Sequence, residues 1–93
     1  MRRTFTRYWR DEDSQIAYTG KINIDTDKIE DVASFPYDVY NHLTDKELNW
    51  ITLNYGYTFI AECSFDEIVK LMEGKESDNS INPDIIFTKN TQN

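Results

Sequence analysis

The sequence contains few side chains that could carry catalysis, and its single histidine is the first to consider. His42 follows Asp38 by four residues, so on a helix the two side chains could meet and share a proton or half of a metal site. A tetrahedral zinc site needs at least three protein ligands, and two residues do not make one. We therefore interpret the pair as a surface or capping interaction.

Cys63, the only cysteine, would form with His42 the minimal nucleophile and base of a cysteine enzyme. Nothing in their spacing brings them together. Cys63 lies in an apolar stretch before a capped helix, which favours a buried structural thiol, although a thiol near a helix N-terminus can have a lowered pKa. One cysteine also excludes an intramolecular disulfide, so we predict a cytoplasmic location.

An acidic run resembles a calcium loop only in part. Asp25 and Asp27 are spaced as the first and third ligands of an EF-hand, but Ile29 and Glu30 occupy the fifth and sixth positions, where an oxygen ligand and a glycine are needed. We interpret the acids as helix caps. The sequence also lacks a Gly-rich phosphate loop, a Cys-x-x-Cys pair and a Gly-x-Ser-x-Gly motif. These observations predict a protein that is not an enzyme and has no metal or cofactor.

Residues 2–10 alternate cations with aromatic rings, a composition typical of sites for single-stranded nucleic acid or nucleotides. Three interpretations stay open. The arginines pair with the acids at 11–13 while Phe5 and Trp9 enter the core, or the segment binds phosphate, or it contacts a protein partner. Under the phosphate interpretation the ligand-binding residues are Arg3, Arg7, Tyr8, Trp9 and Arg10.

The formal charge of −7 is distributed unevenly. All arginines lie within the first ten residues, and residues 11–93 contain 17 acids against six lysines, a balance of −11 that repels nucleic acid and attracts basic surfaces. Solubility is one explanation. The other is a patch of carboxylates and tyrosines that binds a basic protein surface. For that patch we predict Tyr37, Asp38, Tyr40, Asp45, Glu47, Tyr55, Tyr57 and Glu62.

In size, acidity and lack of catalytic groups, the chain resembles inhibitors of nucleic-acid enzymes: nuclease immunity proteins, antitoxins, and phage-encoded anti-restriction or anti-CRISPR proteins. The resemblance concerns composition, not a motif, and assigns no residue a role. It implies a stoichiometric inhibitor or adaptor that blocks the basic surface of a nuclease or other nucleic-acid enzyme and does not itself bind nucleic acid. The alternative function is a small nucleotide or phosphate-binding module built on the N-terminal arginines and rings.

Several elements are needed to position these residues. Thr4 to Arg10 has strand composition, and apolar residues alternate with polar ones from Ile16 to Ile24, which predicts an N-terminal β-hairpin. Gly20 indicates a bulge or a close approach by a helix. Capping boxes or proline predict helices at 27–33, 37–43, 44–55 and from Ser64 to Gly74, with a strand over 57–63. A strand turning at 54–56 is the alternative for 49–55.

The length of 93 residues suffices for one core. We expect a small α+β domain over 1–74, an N-terminal antiparallel hairpin with two to four short helices packed on a small sheet. Residues 75–93 are polar and predict a loop and tail with a short edge strand at 85–87. The sequence has no run of about eighteen apolar residues, so we expect no membrane role. A homodimer through a free sheet edge is left open.

Overall fold

The protein is built on one five-stranded antiparallel sheet. The computed structural model describes residues 1–80, with side chains as far as Gly74. The strand order β2-β1-β5-β4-β3 places the N-terminal hairpin beside a second hairpin, and β2 and β3 form the two edges. In chain order the elements are β1 (Arg2–Arg10), β2 (Ala17–Asp25), a 3₁₀ turn (Thr26–Lys28), β3 (Ile29–Ser34), β4 (Leu48–Leu53), β5 (Thr58–Glu62) and α1 (Phe65–Ser80).

The predicted N-terminal hairpin is present. β1 and β2 pair without interruption over nine residues, from Arg2 opposite Asp25 to Arg10 opposite Ala17. Its turn is closed by Asp11, whose carboxylate accepts hydrogen bonds from the backbone N–H and the hydroxyl of Ser14. Gln15 takes the left-handed conformation, with φ of 62°, that completes the reversal.

Both faces of the sheet carry a hydrophobic cluster, because the strands in its middle are apolar at consecutive positions. The helix face is covered by α1 and holds the larger cluster, which includes Phe5, Ile24, Ile29, Ile51, Leu53, Phe59 and Ile68. On the opposite face, which we call the loop face, residues 35–47 pass over the sheet. Its cluster consists of Tyr8, Tyr40, Leu48 and Ile60.

The one α-helix of the described residues, α1, begins at the predicted capping box. The backbone N–H of Glu67 donates to the Ser64 hydroxyl, and the Glu67 carboxylate accepts from the backbone N–H of Ser64. Ile68, fully buried, anchors the helix in the helix-face cluster. α1 continues past Gly74, the residue expected to stop it. Gly74 has no positive φ, and its cost in a helix interior is only about 1 kcal/mol.

The predicted fold class was wrong in its helix count. Within residues 1–80 there is one α-helix, and most of the structure is strand. The segment 27–33 is a 3₁₀ turn followed by β3. The segment predicted as a helix over 37–43 is irregular, with turns over 39–43, and the one predicted as a helix over 44–55 contains β4. The alternative strand with a turn at 54–56 is the one observed.

Tertiary pairing explains these differences. β4 is the centre of a three-stranded unit, since Ile51 pairs with Val32 of β3 on one side and with Phe59 of β5 on the other. The ladder satisfies the backbone on both sides of β4 and buries Ile51 completely. A helix over the same residues would bury only the side chains on one of its faces. β-branched residues in 27–33 likewise favour the strand once β4 is available as a partner.

Gly20 marks neither a bulge nor a helix contact. The register of β1 with β2 is continuous through it, opposite Arg7. The indole of Trp9 lies over Gly20 instead, and a Cβ at Gly20 would stand 3.3 Å from the ring. A Cβ there would require the indole to move by a few tenths of an ångström, so the absence of a side chain at Gly20 leaves room for Trp9.

The predicted domain over 1–74 and the predicted edge strand at 85–87 stay predictions. Backbone is described to Ser80, which extends the helix into the predicted polar segment. Residues 85–87 lie outside the described residues. Among the residues that are described, no helix is long and apolar enough to cross a membrane.

Replacing Ile68 with alanine should reduce the free energy of unfolding by about 2–5 kcal/mol, because it deletes the fully buried anchor of α1 and leaves a cavity. Lys70→Ala, an exposed change on the same helix, should shift it by less than about 0.5 kcal/mol. Urea denaturation measures both. Equal stabilities for the two variants would mean that α1 does not hold the sheet.

Candidate functional site

An aromatic groove crosses the loop face. Its apolar lining comes from the 35–40 segment and from strands β4 and β5, with a cavity volume of about 430 Å³. Arg10, Glu12 and Gln15 contribute the polar lining. The apolar lining residues are Phe35, Tyr37, Val39, Tyr40, Trp50 and Ile60.

Phe35 organises the rings of this groove. Its ring contacts Tyr37 and Trp50 edge to face, at centroid distances of 5.3 and 5.4 Å, and Tyr40 at 5.7 Å. Tyr40 is buried and holds the cluster to the sheet through Tyr8, whereas Tyr37 is 65% exposed. The groove therefore has a packed floor and one exposed tyrosine at its margin.

A narrower notch opens where β1 and β5 separate. The two strands pair only at Arg7 with Ala61 and at Tyr8 with Ile60, and the ladder does not continue to Arg10 and Thr58. The resulting cavity of about 230 Å³ shares Arg10, Tyr40, Trp50 and Ile60 with the groove. Arg7, Tyr8, Trp9, Tyr57, Thr58 and Phe59 complete its lining.

Arg7 is held in the notch by aromatic side chains. Its guanidinium lies 4.7 Å from the ring centroid of Trp9, and Nη1 donates to the Tyr57 hydroxyl at 2.6 Å. The Nε atom is buried and has no hydrogen-bond partner among the described residues. Trp9 also stacks on Tyr18, so the ring that contacts the Arg7 guanidinium is itself packed against a second ring.

The arginines do not pair with the acids at 11–13. Arg3 bonds to Glu67 at 2.6 Å, and Arg2 bonds to the side chain and backbone of Asn23. In the described part of the chain, neither Arg7 nor Arg10 forms an ion pair with a carboxylate. Phe5 enters the core as one interpretation expected, but Trp9 remains 40% exposed.

The five predicted ligand-binding residues are divided by strand alternation. Arg3, Arg7 and Trp9 lie on the helix face and Tyr8 and Arg10 on the loop face, since successive residues of β1 point to opposite sides. All except Arg3 line the notch, because the gap between the strands admits residues from both faces. The Tyr8 ring is buried, and its hydroxyl donates to Glu62 at 2.7 Å.

The eight predicted partner-binding residues fall into three places. Tyr37 and Tyr40 line the groove, with Asp38 between them in sequence. Tyr55 and Tyr57 belong to the β4–β5 turn, with Tyr57 in the notch. The other three lie toward the opposite end of that hairpin: Asp45, Glu47 and Glu62.

Two glutamates near that opposite end, Glu47 and Glu67, accept hydrogen bonds that stabilise the fold. Glu47 accepts from the side chain of Asn49 and from the backbone N–H of Phe65, which lowers the pKa of its carboxyl. Glu67 accepts from the backbone N–H of Ser64 and from Arg3, and its pKa is likewise lowered. These carboxylates order the start of α1 and the segment before β4.

The candidate catalytic residues stay apart. Asp38 and His42 are both exposed, with no hydrogen bond or ion pair between them in the described structure. Cys63 is buried beneath the start of α1, and burial raises the pKa of its thiol from 9.0 to about 11. Within the described residues, no group of three His, Cys, Asp or Glu side chains could hold a metal ion.

Six of the groove residues were not among the predicted site residues: Glu12, Gln15, Phe35, Val39, Trp50 and Ile60. For Trp50 and Ile60 the signal was the alternation in β4 and β5, which puts the two residues opposite each other on the loop face. The helix prediction for 44–55 concealed that alternation.

Comparison with known proteins adds no assignment: no protein-family model, curated protein or solved structure matches the chain.

The loss of stability at acidic pH should depend on Glu67. Its hydrogen bonds to Ser64 and Arg3 lower the folded-state pKa below the ordinary 4.5. The stabilisation is therefore complete above about pH 4.5 and is lost as the pH falls through the folded-state value. Glu67→Gln should show a smaller loss of stability than the wild type between neutral pH and pH 3, measured by urea denaturation. Asp66→Asn, an exposed neighbour, is the control, and parallel curves for Glu67→Gln and wild type would contradict the prediction.

Cys63 should be almost inert in the folded protein. A pKa of about 11 instead of 9.0 reduces the thiolate fraction near neutral pH about a hundredfold, and burial blocks access further. Labelling by a thiol reagent should be at least that much slower in buffer than in urea. Comparable rates would show that the thiol is exposed.

Proposed function

We propose that this protein is a stoichiometric inhibitor or adaptor that binds the basic surface of a partner protein through the aromatic groove of the loop face. The observation that carries the proposal is a concave surface lined by aromatic rings, with an exposed tyrosine and a carboxylate in its lining. Tyr37 is 65% exposed, Trp50 is half-buried, and the carboxylate is that of Glu12. Asp38 follows Tyr37 directly and is exposed.

The electrostatics around the groove favour cations. Beyond Glu12, the hairpin turn brings Asp11 and Asp13 into an adjoining hollow, and Asp11 has its pKa lowered by hydrogen bonds from Ser14. Arg10 is the one cation in the groove lining. The net charge of −7 adds long-range attraction for a basic partner.

The rings supply the short-range part of recognition. A partner arginine or lysine placed over Tyr37 or Trp50 would gain about 0.5–1 kcal/mol from the cation–π interaction, and more where the contact is desolvated. Tyrosine and tryptophan are also the residues that most often dominate interface energies. Because Phe35 already fixes Trp50 and Tyr40, little side-chain entropy is lost on binding.

Enzymes that act on nucleic acid present basic grooves to their substrates, so blocking one of them in the cytoplasm is the form of action we propose. The proposal assigns no catalytic residue. It is supported by the charge distribution and the groove, and it requires neither a cofactor nor contact with nucleic acid.

The test starts from a basic protein retained by the tagged chain from an extract of its source organism and purified for calorimetry. Tyr37→Ala should weaken its affinity about tenfold or more, because a central interface tyrosine contributes more than about 1 kcal/mol. Tyr55→Ala is the matched control, since Tyr55 is 70% exposed but lies outside the groove.

Salt gives a second measure. Affinity should fall as ionic strength rises, since screening acts beyond about 8 Å at physiological salt. Asp38→Asn should reduce that salt dependence while leaving the fold unchanged. An affinity that is insensitive to salt, or an equal loss in Tyr37→Ala and Tyr55→Ala, would contradict the proposal.

A further inference from the structure

The guanidinium of Arg7 lacks the partners that a partly buried cation needs. Burying a charged donor without a hydrogen bond is costly, and buried charges are normally paired. Arg7 has the Trp9 ring and the Tyr57 hydroxyl, but its buried Nε has no acceptor and no carboxylate pairs with it within the described residues. This occurs in a chain with 17 acids.

Further donors line the same notch. The Tyr57 hydroxyl accepts from Arg7, so its own proton is free to be donated to another oxygen. Arg10, exposed and without an ion pair in the described structure, is a second cation of the lining. Arg7 enters the lining from the helix face and Arg10 from the loop face. Two guanidinium groups and a phenol suit the several oxygens of a phosphate group placed in the gap between the strands.

The rest of the notch fits a flat ring. Its volume of about 230 Å³ is below the range of about 300–1,000 Å³ typical of drug-sized ligands. Tyr57, 37% exposed, and the half-buried Trp50 supply aromatic walls, and the buried Tyr40 and Phe59 complete the aromatic lining. Stacking on such rings contributes about 1–3 kcal/mol per base and tolerates every base.

We propose that the notch between β1 and β5 binds a mononucleotide, whose phosphate contacts Arg7 and Arg10 and whose base stacks against the aromatic walls. This site is separate from the protein-docking function of the groove, although the two cavities adjoin and share part of their lining. The phosphate supplies the anion that the Arg7 guanidinium lacks within the described residues.

Intrinsic fluorescence reports directly on this site. Trp9 and Trp50 are the only tryptophans of the chain, and both line the notch. Titration with AMP should give a saturable fluorescence change. Adenosine should bind at least about tenfold more weakly than AMP, because it lacks the phosphate group that pairs with the arginines. Inorganic phosphate should displace AMP only at concentrations well above those at which AMP binds.

Three glutamine variants locate the contact. Arg7→Gln and Arg10→Gln should each weaken AMP binding about tenfold, the cost of a charged hydrogen bond. Arg2→Gln removes the same charge from the far end of β1, where Arg2 bonds to Asn23, and should leave AMP binding unchanged. If Arg7→Gln does not fold, judged by circular dichroism, the exposed Arg10→Gln decides the question.

Three outcomes would overturn the proposal of a nucleotide site. The first is the absence of a saturable change with AMP. The second is an equal loss in all three variants, which would indicate unspecific attraction. The third is displacement of AMP by inorganic phosphate at equal concentration, which would show that the base makes no contact. Failure here would leave the partner-binding test at Tyr37 unaffected, since Tyr37 does not line the notch.

Discussion

The short pairing between β1 and β5 is the constraint on which the rest of the structure depends. It joins the N-terminal hairpin to the β3–β4–β5 unit through two residue pairs, Arg7 with Ala61 and Tyr8 with Ile60. The buried Tyr8 ring packs on Tyr40, and its hydroxyl bonds to Glu62, so one side chain links the sheet, the crossing segment and β5. Because β1 and β5 separate beyond this junction, a notch lies between them where a longer ladder would have made the sheet continuous.

Two kinds of recognition surface meet at this junction. The groove combines rings with Glu12 of the hairpin turn, whereas the notch combines rings with Arg7, which forms no ion pair with a carboxylate of the described residues. Strand geometry keeps Arg7 apart from the acids of the turn. The acids at 11–13 lie in the turn, where Asp11 is committed to Ser14, while Arg7 lies four residues back along β1 and is held by Trp9 and Tyr57. Of the two arginines in the notch lining, Arg7 does not line the groove, whereas Arg10 lines both cavities and the hollow formed by the acids of the turn.

Capping signals illustrate how local and tertiary preferences compete. Ser64 with Glu67 looks in sequence like Thr44 with Glu47, and only the first opens a helix. The Thr44 hydroxyl accepts from the backbone N–H of Lys46 and donates to Glu62, and Glu47 bonds to Asn49 and Phe65. A helix after Thr44 would have left β3 and β5 without their central partner. The gain from pairing and burying β4 exceeds the about 1 kcal/mol that a cap contributes.

By itself the sequence determined the N-terminal hairpin, the capped helix after Ser64, the buried thiol and the concentration of cations in residues 2–10, because each depends on neighbours close in the chain. Alternation in β1 even determined which of its residues share a face. Only the tertiary structure decided that β4 is a strand, that Phe35, Trp50 and Ile60 form one groove, and that Arg7 and Arg10 line one notch. Those features require contacts between segments distant in sequence, where the burial of long-range partners outweighs local propensity.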